Sequence, residues 1–504
     1  MKTFISKQIY RKGLYLIMAL TILFYGCKQL PEKTADEEKA IGRPNLVLII
    51  ADDMNWDDSG AYGHPYIKTP NLDKMAAGGM RFTHAFLTTS SCSPSRSSII
   101  TGLYPHQTGA EQLHWPLPAD KTTFVEKLKE AGYWTAQAGK WHLGNAVKDR
   151  FNFLAADSLA VLQEAVNSEE EKEWLKKGDG SGCHLWVPTL KHRPNDKPFF
   201  LWLAAVDPHR GYRDSIIAEP HGPQDVVLPP YNPDTKLTRK DYAMYYDEIS
   251  RMDGYIGQVM SELEKQGVAD NTLILFISDN GRPFPRNKTT LYDGGIRTPW
   301  ILRWPAKINS GIVSGALVSS LDIAPTFLAL AGIDIPPSFE GNSFSPMLGD
   351  PATTTRKYIY AEDHWHDMDD YTRAVRDRRY KYIRNYYPEL PNTPPADALK
   401  GLTYKSMLEL KDRGMLNEGA MSIFKTPRDE EELYDTENDS FELNNLAGHP
   451  EYTELLERMR KQLDEFRTQT NDTLPIQRTP DEYDRLTGDP LPNRKMPRTP
   501  SKRP

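Results

Sequence analysis

The apolar run from Asn45 to Ala51 is unbroken, rich in branched side chains, and stops abruptly at Asp52 and Asp53. A run of that length without polar alternation predicts a strand buried on both faces of a parallel sheet. Pro198 to Val206 and Thr272 to Ile277 repeat the pattern. Between them the spacing changes. Thr123 to Ala131 has helical periodicity and is followed by a short strand pattern at Tyr133 to Ala138. Within Tyr242 to Gln266, the residues Tyr245, Ile249, Met252, Ile256, Met260 and Leu263 form one apolar stripe. Strand and helix alternate, which predicts an α/β fold built on a large mixed, mainly parallel sheet flanked by helices. Ligands gather at the carboxyl ends of the strands in such folds. Asp52-Asp53 and Asp279-Asn280 both sit at that kind of end.

Past residue 371 the texture shifts to short strand patterns at Tyr371 to Arg376, Tyr380 to Arg384 and Glu432 to Asp435. A helix is predicted over Glu451 to Thr468, with Leu455, Met459, Leu463 and Phe466 on one face. The expected organisation is a main domain over 43–370, a smaller C-terminal α+β unit over 371–470, and a tail, 471–504, that wraps the surface or is disordered. A length of 504 residues suits two domains.

The beginning of the chain is different. Lys2, Lys7, Arg11 and Lys12 precede an apolar run, Gly13 to Tyr25, too short to span a bilayer comfortably, which reads as an export signal. Gly26-Cys27 at its end resembles the lipobox at which bacterial lipoproteins are cleaved and acylated, despite the bulky Phe24 and Tyr25. The expectation is a signal over 1–26, lipidation of Cys27, a polar tether over 27–42, and residence in the bacterial cell envelope, lipid-anchored at the outer membrane or in the periplasm. Loss of the signal lowers the formal charge from −7 to −11. That global field attracts no polyanion, so any anion recognition rests on local Lys, Arg and His, and nucleic acid is not an expected partner. Only Cys27, Cys92 and Cys183 occur, too few for an internal disulfide framework once Cys27 and Cys92 have other uses.

Carboxylates at the end of a buried strand need a compensating cation or network. Asp52, Asp53, Asp279 and Asn280 offer the oxygen ligands that suit a hard divalent ion, and equally the side chains of a helix cap or turn. A second segment bears on that choice: Cys92-Ser93-Pro94-Ser95-Arg96, followed by Thr101-Gly102 and Tyr104-Pro105-His106. It resembles the signature of the formylglycine-dependent (type I) sulfatase family. The resemblance extends over nearly all of residues 43–468 through Gly139 to Gly144, Asp207-Pro208-His209, Asp279-Asn280-Gly281 and Lys288 to Gly295. It is strongest toward the sulfamidase (heparan N-sulfatase) branch, through Ser90 to Arg96, Gln112-Leu113-His114, Asp207 to Arg210 and Ser278 to Pro285. Asp293 to Arg297 follow the general sulfatase pattern instead.

The resemblance implies an alkaline-phosphatase-like fold, oxidation of Cys92 to formylglycine (3-oxoalanine) by a maturation enzyme, and one calcium ion held by Asp52, Asp53, Asp279, Asn280 and the modified Cys92. It further implies that a hydroxyl of the aldehyde hydrate attacks sulfur, with Arg96 and His142 near the hydrate, Lys140 and Lys288 on sulfate oxygens, and His209 as general acid toward the leaving atom. The implied activity is hydrolysis of sulfate from a sulfated oligo- or polysaccharide in glycan degradation, as an O-sulfate ester of an algal glycan such as ulvan or as N-sulfoglucosamine. His114, Arg210, His364, His366 and Arg373 are candidates for reading the sugar. Two rival classes are a phosphohydrolase of the alkaline phosphatase superfamily, which normally has a Ser or Thr nucleophile and zinc-binding His pairs, and a non-catalytic glycan-binding lipoprotein.

Overall fold

The structure is a computed structural model that describes residues 42–492 and Arg494. The expected signal over 1–26, Cys27 and the tether up to residue 41 lie outside the described residues.

The first apolar run forms β1 (Asn45–Ala51), the centre of an eight-stranded sheet. The other strands are β2 (Met80–Phe86), β3 (Trp134–Gly139), β4 (Phe153–Leu154), β5 (Phe199–Ala204), β6 (Thr272–Ser278), β7 (Ile301–Arg303) and β8 (Ile312–Ser319), in the order β4-β3-β5-β1-β6-β7-β2-β8. Only β7 runs against its neighbours. Each face of the sheet is covered. Val47, Ile49, Leu201, Leu203, Ile274 and Phe276 point into one hydrophobic layer, together with the long helix Lys236–Lys265. Leu46, Leu48, Phe200, Trp202, Leu275 and Ile277 point into the other, with the helices Phe124–Glu130 and Ile323–Leu330. Burial on both sides explains the absence of polar alternation in β1, β5 and β6.

Helix boundaries follow local chemistry. Thr123 accepts the backbone N–H of Glu126, whose carboxylate accepts the N–H of Thr123, a reciprocal cap that starts the Phe124 helix. Thr235 likewise caps the long helix. That helix begins at Lys236, ahead of the Tyr242 to Gln266 stretch that carries the apolar stripe, since its first turns are mostly polar and give the pattern no signal. Strands β2, β7 and β8 were not legible as strands: β2 mixes Arg81, Thr83 and His84 into its run and lies beside the edge strand.

A second, four-stranded antiparallel sheet has the order β12-β11-β10-β9, from β9 (Ile359–Asp363), β10 (Thr372–Arg376), β11 (Tyr380–Asn385) and β12 (Glu431–Asp435). The helix Thr453–Thr470 covers it with Leu456, Met459, Leu463 and Phe466. The sheet takes β9 from ahead of residue 371. Between β11 and β12 the helices Ala396–Leu399 and Leu402–Asp412 reach back to the long helix, where Thr403 donates from N and Oγ1 to Asp241 at 2.9 and 2.8 Å. The tail also packs onto the fold as far as it is described. The N–H of Glu482 donates to the carbonyl of Asp367 at 2.9 Å, and Trp365 donates from its indole to the carbonyl of Pro480.

Arg373, a candidate sugar reader, is fully buried instead. Its Nε and Nη2 donate to Asp472 at 2.7 and 2.8 Å, and the hydroxyl of Tyr371 donates to the same carboxylate. The pair ties β10 to the start of the tail. Removing one partner leaves an uncompensated buried charge. Arg373→Ala is therefore expected to lose about 3–5 kcal/mol in denaturant unfolding; a loss below about 1 kcal/mol, the range of exposed pairs, would refute the structural role.

Candidate active site

The pairing of β1 with β6 sets Ala51 opposite Ser278. The two chain ends therefore emerge side by side, and Asp52-Asp53 meets Asp279-Asn280. Asp279 N donates to the carbonyl of Ala51, and Asp52 N to that of Asp207. Asp53 sits at φ +74°, a left-handed conformation that a side chain other than glycine adopts at a cost of order 1–3 kcal/mol. His114, His142 and Thr289, around the same site, share that backbone state. Such strain concentrates where structure is held for function.

Cys92 opens the buried helix Cys92–Thr101, and its Sγ lies 3.8 Å from Asp53 Oδ1. Arg96, one turn later on the same face, donates from Nε to Asp279 Oδ2 at 2.8 Å, and its Nη2 lies 3.6 Å from Asp52 Oδ1. Lys140, just past β3, pairs with Asp52 Oδ2, and Lys288 donates to both oxygens of Asp53 at 2.7 and 2.8 Å. Asn280 Nδ2 donates to Asp53 Oδ1 at 2.6 Å. Three carboxylates and three permanent cations thus interlock, with the carboxylates fully buried.

Burial shapes the titration of these groups. It opposes ionisation of Asp52, but Lys140 and His209 outweigh it and the carboxyl sits below its ordinary value. At Asp279 burial wins over Arg96 and the value is raised. Burial drives the Cys92 thiol well above its ordinary value in spite of Lys140 and Lys288, so the unmodified side chain is a neutral thiol and a poor nucleophile. His142 is held well below its ordinary value by burial and then by Lys140; its Nε2 pairs with His114 Nδ1 at 2.7 Å.

Above this floor opens a cavity of about 660 Å³ whose lining includes Cys92, His114, Lys140, His142, His209, Lys288 and His366. His209 hangs over the acids, with Nδ1 3.1 Å from the carbonyl of Arg210 and Nε2 3.9 Å from Asp53 Oδ2. His366 Nδ1 lies 2.7 Å from Ser91 Oγ, beside Cys92.

The structure thus brings together Asp52, Asp53, Asp279, Asn280, Cys92, Arg96, Lys140, His142, His209 and Lys288, with His114 and His366 on the wall. Three sugar-reading candidates stand elsewhere. Arg210 is engaged by Asp241 at 3.0 and 3.1 Å and by the carbonyl of Pro283, and it packs on Phe284. His364 is buried against Glu362 at 3.0 Å, and Arg373 is held by Asp472. Each is committed to an internal partner, which a lone charge or imidazole in a sequence does not reveal. Conversely, Asp367, Asp397, Lys400 and Tyr483 line the cavity without a sequence signal. Asp397 follows an aperiodic Pro391 to Pro395 stretch, and Tyr483 belongs to the tail.

Asp52, Asp53, Cys92 and Asp279 offer ligand atoms within 4.8 Å of one another. Asp52 Oδ1 and Asn280 Oδ1 are buried without a hydrogen-bond partner, so two hard oxygens have their lone pairs unused. The donor set fits a hard divalent cation.

A family profile described as Sulfatase matches residues 44–333, and one described as N-sulphoglucosamine sulphohydrolase, C-terminal, matches 286–392. An ulvan-active sulfatase of Formosa agariphila is 32% identical over 498 residues, covering 91% of this chain and 81% of its own. This chain belongs to the sulfatase family. The human N-sulphoglucosamine sulphohydrolase is similarly close to this sulfatase, 32% identical over 470 residues and covering 85% and 90% of the two chains. Among solved structures, one in complex with its substrate D-glucosamine-2-N,6-O-disulfate shares the fold at TM-score 0.64 and 21% identity, over 86% of this chain and 99% of that one. Another, in complex with a neocarrahexaose, does so at TM-score 0.60 and 23% identity, over 84% and 92%. The sulfatase is a sulfuric ester hydrolase.

Occupation of the acid cluster stabilises the fold by mass action, about 2.7 kcal/mol at a free ion concentration 100 times the Kd. Adding calcium to chelator-treated protein is expected to raise its melting temperature, and Asp279→Ala to abolish the increment. An unchanged melting temperature in the wild type would rule out a resident cation.

Proposed function

We propose that this sulfatase hydrolyses sulfate from a sulfated oligo- or polysaccharide in glycan degradation, using a formylglycine made from Cys92 and one calcium ion held by Asp52, Asp53, Asp279 and Asn280. The observation that carries the reading is the place of Cys92: an inert buried thiol aimed at Asp53 among cations, on the floor of a cavity large enough for a sugar. Converted, residue 92 would supply a hydrated aldehyde as nucleophile, and calcium would supply Lewis acidity and orientation.

The chain's own residues do the rest. Arg96 holds Asp279 and Asp52 in place from the helix that carries residue 92. Lys140 and Lys288 offer fixed positive charge to the sulfate oxygens, which share the group's negative charge, while the charge that develops on the leaving atom falls to His209. Both also neutralise acids, so neither needs to be reoriented from solvent. His142, linked to His114, borders residue 92. His209 has one ring nitrogen turned to the carbonyl of Arg210 and the other exposed to the cavity, the arrangement of a group that gives a proton to a departing alkoxide or amine.

The names of relatives support both an O-sulfate and an N-sulfate substrate, since one acts on ulvan and another is a sulphohydrolase of N-sulphoglucosamine. The proposal extends to export, lipidation at Cys27 and a cell-envelope location, supported by the charge and apolar pattern of the first 27 residues; the maturation enzyme is then a required partner. A second reading, hydrolysis of phosphate esters, is favoured only by the convergence of Asp53, His209 and Asp397 within 4.8 Å.

The test is release of sulfate from ulvan oligosaccharides, N-sulfoglucosamine and an aryl sulfate, with an aryl phosphate alongside. Cys92→Ala is expected to lose roughly 10⁴-fold or more. His209→Ala should lose about 10²–10⁴-fold on a sugar and much less on the aryl sulfate, whose leaving group departs without a proton. Faster turnover of the phosphate, or full activity in Cys92→Ala, would reject the proposal.

A further inference from the structure

Beyond the cations of its floor, the cavity has a wall of opposite character. Asp397 and Asp367 line it, and its one lysine, Lys400, pairs at the surface with Asp489 at 3.5 Å. The two carboxylates are differently placed. Asp367 accepts the backbone N–H of Ala396 at 3.1 Å, which fixes the start of the helix Ala396–Leu399 against the wall. Asp397 uses Oδ1 to accept the N–H of Ala398 at 2.7 Å. Its Oδ2 makes no hydrogen bond and lies 3.7 Å from His209 Nε2, while a third of the side chain is open to the cavity and solvent. It is a fixed acceptor one side chain away from the point where the leaving atom must sit, since His209 in turn lies 3.9 Å from Asp53, the neighbour of Cys92. Burial opposes ionisation of Asp397, but Lys288, His209 and Arg210 outweigh it and the carboxyl sits below its ordinary value.

An anion placed there does nothing for sulfate itself. Its effect falls on the substituent next to the scissile group. A carboxylate oxygen without a hydrogen bond accepts one from a hydroxyl or an ammonium and repels a second sulfate. We propose that Asp397 is a specificity-determining residue: it selects a sugar with a hydroxyl or ammonium donor on the carbon adjacent to the scissile sulfate and rejects one that is sulfated there. The inference rests on the sulfatase reading for the identity of the scissile group. The segment that delivers Asp397 is held from outside by the tail. Gly488, at φ +69°, lies so near that a Cβ would stand 2.7 Å from the carbonyl oxygen of Ala396, and Tyr483 lines the same wall.

The experiment measures binding rather than turnover. Cys92→Ala protein in calcium buffer is titrated calorimetrically with two matched pairs: N-sulfoglucosamine with and without a 3-O-sulfate, and rhamnose 3-sulfate with and without a 2-O-sulfate. In at least one pair the singly sulfated sugar is expected to bind about tenfold more tightly or better, and adding Asp397→Asn should shrink that ratio toward one. A ratio below about threefold in both pairs, no binding of any of the four, or a ratio untouched by Asp397→Asn would each overturn the proposal. The Cys92→Ala ratio alone decides if the double variant does not fold. Sulfate release by the wild type keeps the two readings apart: a selective pocket in a protein that releases no sulfate would sink the sulfatase proposal and leave the donor-selective wall standing, while active protein without selectivity would do the reverse.

Discussion

Three carboxylates, Asp52, Asp53 and Asp279, are buried together at the carboxyl edge of two adjacent strands. Removing such charges from water costs several kcal/mol each unless opposite charge is brought to them. Much of the molecule satisfies that constraint. The β1–β6 register brings the acids together, the Cys92–Thr101 helix delivers Arg96, the end of β3 delivers Lys140, and the loop after β6 delivers Lys288. Even so, Asp52 Oδ1 and Asn280 Oδ1 stay without a hydrogen bond. The protein's own cations match the acids in number but leave those two oxygens without hydrogen bonds, and a hard divalent ion suits such oxygens.

The same cations serve two purposes because of where they stand. Each contacts an acid on one side and the cavity, or the residue that lines it, on the other, so a sulfate entering above Cys92 meets positive charge that is already fixed. The wall carrying Asp397 reverses the sign within a few ångströms. A pocket with a cationic floor and an anionic side discriminates among polyanions by the pattern of their charge rather than by its sum, which suits a chain whose net charge is itself negative.

What the sequence makes legible follows from the range of the interaction involved. Strands β1, β5 and β6 declare themselves because burial on both faces leaves an unbroken apolar run. The segment around Cys92 and Arg96 is legible through its resemblance to the sulfatase signature, which one buried helix, Cys92–Thr101, then presents to the acids. Arg210, His364 and Arg373 misled because nothing local marks their partners: Asp241, Glu362 and Asp472 are brought to them by tertiary packing. Asp397 and Tyr483 stayed hidden for the complementary reason. Their segments have little periodicity of their own and acquire their positions from the long helix and from β9's surroundings. The floor of the site is thus written in short motifs, and its wall in long-range contacts.

Burial drives the Cys92 thiol well above its ordinary value, so the proposed nucleophile requires that side chain to be converted. The most direct measurement is mass spectrometry of the peptide containing residue 92, taken from protein that releases sulfate. An aldehyde is expected at that position in the active fraction. A fully active preparation in which residue 92 remains an intact thiol would contradict it.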